Sequence, residues 1–159
     1  MANIAVNHVQ QSFEYWCWAA CSEMFVSRYG NRTLTQAAFA TEHNKKFQRG
    51  MNVMADYNEV AWLLRNIANH DVERRIGLDA KLDWDPLNAI LDKARLVMAC
   101  AANHAWLIVG TEIHPSHGKV LWVHDPASTA GPSRAKYEAF KNLWKTTVML
   151  GQSDAGALE

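Results

Sequence analysis

The chain has 159 residues, 16 of them basic and 16 acidic, for a formal net charge of zero. That length makes one domain with room for a substantial core, and the neutral balance excludes a basic coat for nucleic acid or a polybasic membrane tether. With 49% hydrophobic residues the composition is that of a globular protein, no apolar run approaches the ~18 residues of a membrane span, and three cysteines are too few for a disulfide scaffold.

In chain order, the opening residues MANIAVNHVQQSFEYW lack the basic and apolar regions of a secretory signal. The expected location is therefore the cytoplasm, or export by a signal-independent route. From Cys17 to Arg28, Cys17, Ala20, Cys21, Met24 and Phe25 recur at helical spacing, and Tyr29-Gly30-Asn31 supplies a stop. Thr33 to Glu42 reads as a short second helix, with Thr33 or Thr35 as its cap. Lys45 to Met54 has no period and reads as a loop. Asp56 to Ala68 is amphipathic, with Val60, Leu63, Leu64 and Ile67 on one face and Asp56 near the positive end of the dipole.

The pattern then changes. Val72 to Ile76 has strand character. Asp85-Pro86 reads as a cap followed by a first-turn proline, opening a helix through Ala94. Leu96 to Ala101, His104 to Val109 and Val120 to His124 are apolar runs of strand length, the last two joined across Pro115-Ser116-His117-Gly118. Thr146 to Leu150 is the last strand. Helices first and strands second predict an α+β fold with an antiparallel sheet. Residues 1–150 form the expected domain, and 151–159 (GQSDAGALE) read as a loose tail.

Chemistry concentrates at three places. Cys17 stands at the N-terminal edge of the first helix, where unpaired N–H groups favour a thiolate. Gln11, six residues earlier, is placed to aim its amide beside the sulfur and, with the Cys17 N–H, to form a two-donor oxyanion hole. A lone cysteine is more often a buried small hydrophobe, so the reading depends on partners. His104 opens an apolar strand, where a polar group needs one. Asp125, in Val123-His124-Asp125-Pro126, ends the strand across the hairpin, which sets it beside His104. Taken singly, His104 reads as a structural histidine and Asp125 as a turn residue; together with Cys17 they supply nucleophile, base and orienter.

Gln11-x5-Cys17-Trp18-Ala19-Ala20, a histidine opening an apolar strand that ends in Gly110, and strand-Asp125-Pro126 resemble the papain-like cysteine peptidases of bacteria. The resemblance is to a compact Cys-Trp-Ala-Ala group that includes avirulence-type effector proteases of plant pathogens and is related to bacteriocin-processing peptidase domains. It implies a papain-like α+β fold and peptide-bond cleavage by Cys17, His104 and Asp125, with Gln11 in the oxyanion hole. It also opens an effector or toxin role. Three departures stand out. His104 follows Cys17 more closely than the ~130–150 residues of papain and cathepsins. Asn103 replaces the usual glycine before the histidine, and Trp18 the glycine that follows the cysteine in the bacteriocin-processing type.

The same triad serves amidases, deamidases and transglutaminase-like enzymes, and an inactive binding module of the same fold is the alternative from another class. Trp18, Trp16, Asn103 and Trp106 flank the motifs as candidate substrate-binding residues. Cys21 and Cys100 read as packing residues. His114 and His117 read as exposed hairpin residues, His124 as pointing opposite to Asp125, and His8, His43 and His70 carry no motif. The expected state is a monomer acting on a protein or peptide, with no metal and no cofactor; neither zinc-ligand spacing nor a nucleotide-binding glycine motif occurs.

Overall fold

The computed structural model describes residues 3–76 and 81–151. Three helices come first: α1 (Cys17–Arg28), α2 (Gln36–Phe47) and α3 (Tyr57–Asn66). Then follow β1 (Val72–Ile76), α4 (Trp84–Asp92), β2 (Val97–Cys100), β3 (Ala105–His114), β4 (Gly118–His124), β5 (Ser133–Lys136), α5 (Tyr137–Leu143) and β6 (Thr146–Leu150). The strands form one sheet in the order β1-β6-β2-β3-β4-β5, every neighbouring pair antiparallel. This is the α+β class expected from helices preceding strands.

α1 is the central helix. It packs on β3 and touches both α2 and α3. The expected apolar face is buried, and so are Trp18, Ala19, Ser22 and Val26. A helix enclosed on nearly all sides must be small or apolar all round. Ala19, Ala20 and Cys21 meet that condition, and the Ser22 hydroxyl is satisfied by donating to the Trp18 carbonyl at 2.7 Å. The Tyr29 and Gly30 N–H groups close its end on the Val26 and Ser27 carbonyls respectively.

α3 starts with a reciprocal cap. The Asp56 side chain accepts from the Glu59 N–H and the Glu59 carboxylate from the Asp56 N–H, at 2.9 and 3.0 Å. This leaves both N-terminal donors satisfied. It also anchors the end of the loop between α2 and α3, which reaches the site.

Elsewhere the structure departs from the expected boundaries. α2 starts after Thr35, whose side chain caps it, and continues to Phe47. Lys45 and Lys46 in its last turn complement the dipole, and Gln48 ends it in the left-handed region. Asp83 rather than Asp85 occupies the cap position of α4, with no side-chain bond, and Asp85 and Pro86 lie inside the first turn. β3 runs past Gly110 to His114, bending at an irregularity between Ile108 and Gly110. There the Val109 carbonyl accepts from the Ile4 N–H at 2.7 Å, tying the N-terminal segment to the sheet.

β5 and α5 were not expected from the sequence. β5 is a short, exposed edge strand with no apolar alternation to read, and α5 has seven residues and two buried anchors, Tyr137 and Phe140. Of the expected tail, Gly151 still bonds the Asp71 carbonyl through its N–H, and 152–159 lie outside the described residues.

Candidate active site

Cys17 is the first residue of α1 and is 0% exposed. Trp16 precedes it without a side-chain cap, so the helix leaves its first N–H groups to other acceptors. The backbone N–H groups of Ala105, Trp18 and Cys17 act on the sulfur in the direction that favours its ionised form. Ala105 is the residue after His104 and the first of β3, so the α1–β3 packing brings the sulfur to the head of that strand. Those donors favour a thiolate, as the helix terminus suggested. Burial outweighs them: enclosed in protein and within range of the Asp125 charge, the thiol is held above its ordinary pKa. The thiol donates to the Met54 thioether, with Sγ and Sδ 3.7 Å apart.

His104 and Asp125 are brought together. His104 Nε2 lies 2.6 Å from Asp125 Oδ1, across the β3–β4 hairpin, both groups partly exposed. The Asp125 carboxylate also accepts from the Ala127 N–H at 2.9 Å, so the turn holds it in place. With Nε2 donating to a carboxylate, Nδ1 is the ring nitrogen that carries a lone pair. The Trp106 ring stands edge-on to the imidazole, centroids 4.7 Å apart. His124 points to the opposite side, as alternation along a strand requires, and pairs with His8.

Gln11 joins this end of the molecule through its backbone, its N–H donating to the Pro126 carbonyl at 2.8 Å. Its side-chain amide is turned into the bend before α1. Nε2 donates to the Phe13 and Glu14 carbonyls at 2.9 and 2.7 Å, and Oε1 is buried with no partner among the described residues. Both amide hydrogens are thus committed in this state.

A cavity of about 380 Å³ opens beside His104. Its walls include His104, Ala105, Ala102, Trp18, Met54 and Val60. Trp18 therefore lines it, whereas Trp16, Asn103 and Trp106 do not: Trp16 is buried, and Asn103 is exposed in the turn before His104. Cys21 and Cys100 carry free thiols with pKa values raised by burial, that of Cys100 to about 12. No group of three or more metal-binding side chains occurs among the described residues.

Sequence reasoning missed how the loop 48–56 packs beside Cys17. Trp16 Nε1 donates to the Met51 carbonyl at 2.7 Å and Trp18 Nε1 to the Val53 carbonyl at 2.9 Å. Arg49 donates to the Met54 carbonyl at 3.0 Å and pairs with Glu59, which also lies 3.3 Å from the buried His43. The two tryptophans flanking Cys17 were the available signal, since a buried indole N–H needs an acceptor.

A thiol at the head of a central helix, packed against an antiparallel sheet whose next hairpin carries a His–Asp pair, defines the class of papain-like thiol hydrolases. The model of the Peptidase_C39 like family matches residues 3–151, so the chain belongs to that family, and it is a cysteine peptidase. No curated protein matches it. Among solved structures, one described as a C39-like peptidase from Bacillus anthracis is similar with a TM-score of 0.68 and 12% identity, covering 96% of this chain and 98% of that one. The peptidase domain of Streptococcus ComA, a bifunctional ABC transporter of a quorum-sensing pathway, gives 0.65 and 12%, covering 94% and 99%. A double glycine motif protease from an AMS/PCAT transporter, in complex with the leader peptide, gives 0.61 and 15%, covering 95% of each chain. These likenesses establish the papain-like α+β fold. No helix among the described residues is long and apolar enough to cross a membrane.

Proposed function

We propose that Cys17, His104 and Asp125 form the catalytic triad of this peptidase, with Gln11 and the Cys17 N–H as the oxyanion hole. The observation that carries the reading is the 2.6 Å His104–Asp125 bond at the head of β3, the strand on which the Cys17 helix packs. The carboxylate fixes the tautomer that leaves Nδ1 as base. The Cys17 proton passes to Nδ1, the thiolate attacks the peptide carbonyl, and the oxyanion develops against the head of α1. Gln11 takes part by exchanging one of its two carbonyl partners for that oxyanion. The imidazolium then protonates the leaving amine, and water, deprotonated by His104, releases the acyl group.

The substrate is an extended peptide segment, a reading supported by the leader peptide bound to the double glycine motif protease. The resemblance to avirulence-type proteases extends the proposal to an effector or toxin acting on proteins of another cell.

The test is mass spectrometry of new N-termini in a proteome treated with the purified protein, with Cys17→Ala alongside. Cut chains that vanish with Cys17→Ala support the reading. Cleavage by the variant at the wild-type rate overturns it. Single-dalton shifts in place of cuts would mark a deamidase.

A further inference from the structure

The nucleophile is covered. Cys17 has no exposed surface, and the atom that receives its proton is the sulfur of Met54 rather than a nitrogen of His104. The backbone around Met54 is clamped on both sides: the Val53 carbonyl by Trp18 Nε1, the Met54 carbonyl by Arg49. The next residues are held by the Asp56–Glu59 cap. The side chain has no such polar clamp: it is partly buried against the core and, among the described residues, its sulfur accepts only from the Cys17 thiol. It is unbranched, with three rotatable bonds, and lines the cavity beside His104 and Ala105. Rotation about those bonds moves the thioether off the sulfur without disturbing the loop.

We propose that Met54 is the gate of the nucleophile: its side chain caps Cys17 and holds the thiol proton in the resting enzyme, and substrate entering the cavity displaces it and hands the thiol to His104. This rests on the assignment of Cys17 as nucleophile. While the gate is shut, the thiol is enclosed and donates to a thioether, an acceptor too weak to deprotonate it. When the gate opens, the nearby backbone N–H groups of Ala105, Trp18 and Cys17 still favour the ionised sulfur, while the enclosure that opposes ionisation is relieved. The proton moves from Sγ to His104 Nδ1, giving a thiolate and an imidazolium held by Asp125. The other titratable groups acting on this sulfur are Asp125 from the turn after β4, Cys21 from α1 and Cys100 from β2. The Met54 substitution alters none of them. The enzyme at rest is thereby protected from adventitious alkylation and oxidation of Cys17.

The experiment is the rate of Cys17 alkylation by iodoacetamide across pH 5–9, read by peptide mass spectrometry, for wild type, Met54→Ala and Met54→Leu. Met54→Ala removes both cover and acceptor; its Cys17 is expected to label about three- to tenfold faster at neutral pH, with its pH midpoint moved down. Met54→Leu keeps the bulk without the acceptor, guards against misfolding of the smaller variant, and is expected between the two. Cys21 and Cys100 serve as internal controls and should not change. Equal Cys17 rates and equal midpoints for all three proteins overturn the gate. Faster labelling of Met54→Ala in a protein that shows no Cys17-dependent cleavage supports the gate and overturns the catalytic assignment.

Discussion

His104 has one ring nitrogen on Asp125 and the other free, and that asymmetry is what the carboxylate contributes. Without it, the neutral imidazole is free to place its proton on Nδ1, where it cannot act as base toward Cys17. Asp125 also holds the turn through the Ala127 N–H, so two effects must be separated. Asp125→Asn retains an acceptor for that N–H and loses the charge; Asp125→Ala loses both. The expected result is a fall in kcat/KM of about 10- to 1000-fold for each, milder than Cys17→Ala, with Asp125→Asn nearer wild type in melting temperature. Steady-state kinetics on a peptide substrate, with a thermal melt of each variant, check this. Wild-type kcat/KM for both would leave Asp125 a turn residue. The same scale explains why the thiol's state was misjudged from sequence. Helix position and neighbouring motifs identify donors at Cys17, but its burial comes from tertiary packing of α1 and from neighbours such as Met54, which stands in a segment with no period.

At the scale of elements, what was legible were those whose pattern carries its own geometry. α1 and α3 declared themselves by period, and the β3–β4 hairpin by its apolar runs and turn residues, so the juxtaposition of residues 104 and 125 followed from strand order. The loop 48–56 did not, because its conformation is set by distant donors: two indoles of the segment opening α1, and Arg49 held by Glu59 of α3. Nor did β5 and α5, whose stability comes from docking on β4 rather than from their own sequence. The Asp56–Glu59 cap links the two kinds, since it starts α3 and terminates the loop beside Cys17. Asp56→Ala removes the acceptor of the Glu59 N–H and is expected to destabilise the fold by about 1 kcal/mol, with Asp56→Asn close to wild type. Urea denaturation of the three proteins measures this. An Asp56→Ala midpoint equal to that of wild type would show that the cap contributes nothing.

On the scale of the whole molecule, the N-terminal segment is strapped across the sheet by contacts that include, in chain order, Ile4 to Val109, His8 to His124 and Gln11 to Pro126. The middle one is sensitive to acid. His8 Nε2 donates to the Ser128 carbonyl at 2.8 Å, so a neutral His8 offers Nδ1 as acceptor to the Nδ1–H of His124, 2.9 Å away. Gly131 lies over the pair, where a Cβ would come within 2.6 Å of His8 Nδ1. A second proton on His124, at Nε2, meets no hydrogen-bond acceptor among the described residues. Burial, reinforced by His8, lowers its pKa from 6.5 to about 4. The sign follows from proton binding. Between those values the unfolded chain takes up a proton that the folded one refuses, so stability is full above pH 6.5, falls as pH drops toward 4, and levels off below. The contribution from this site is at most about 3 kcal/mol. His124→Asn, which lacks the titrating group, is expected to lose less stability than wild type between pH 7 and 4.5, even if it starts from a lower value. Urea midpoints at several pH values for both proteins give the comparison. Parallel pH profiles would mean that the strap is held by contacts indifferent to the charge on His124.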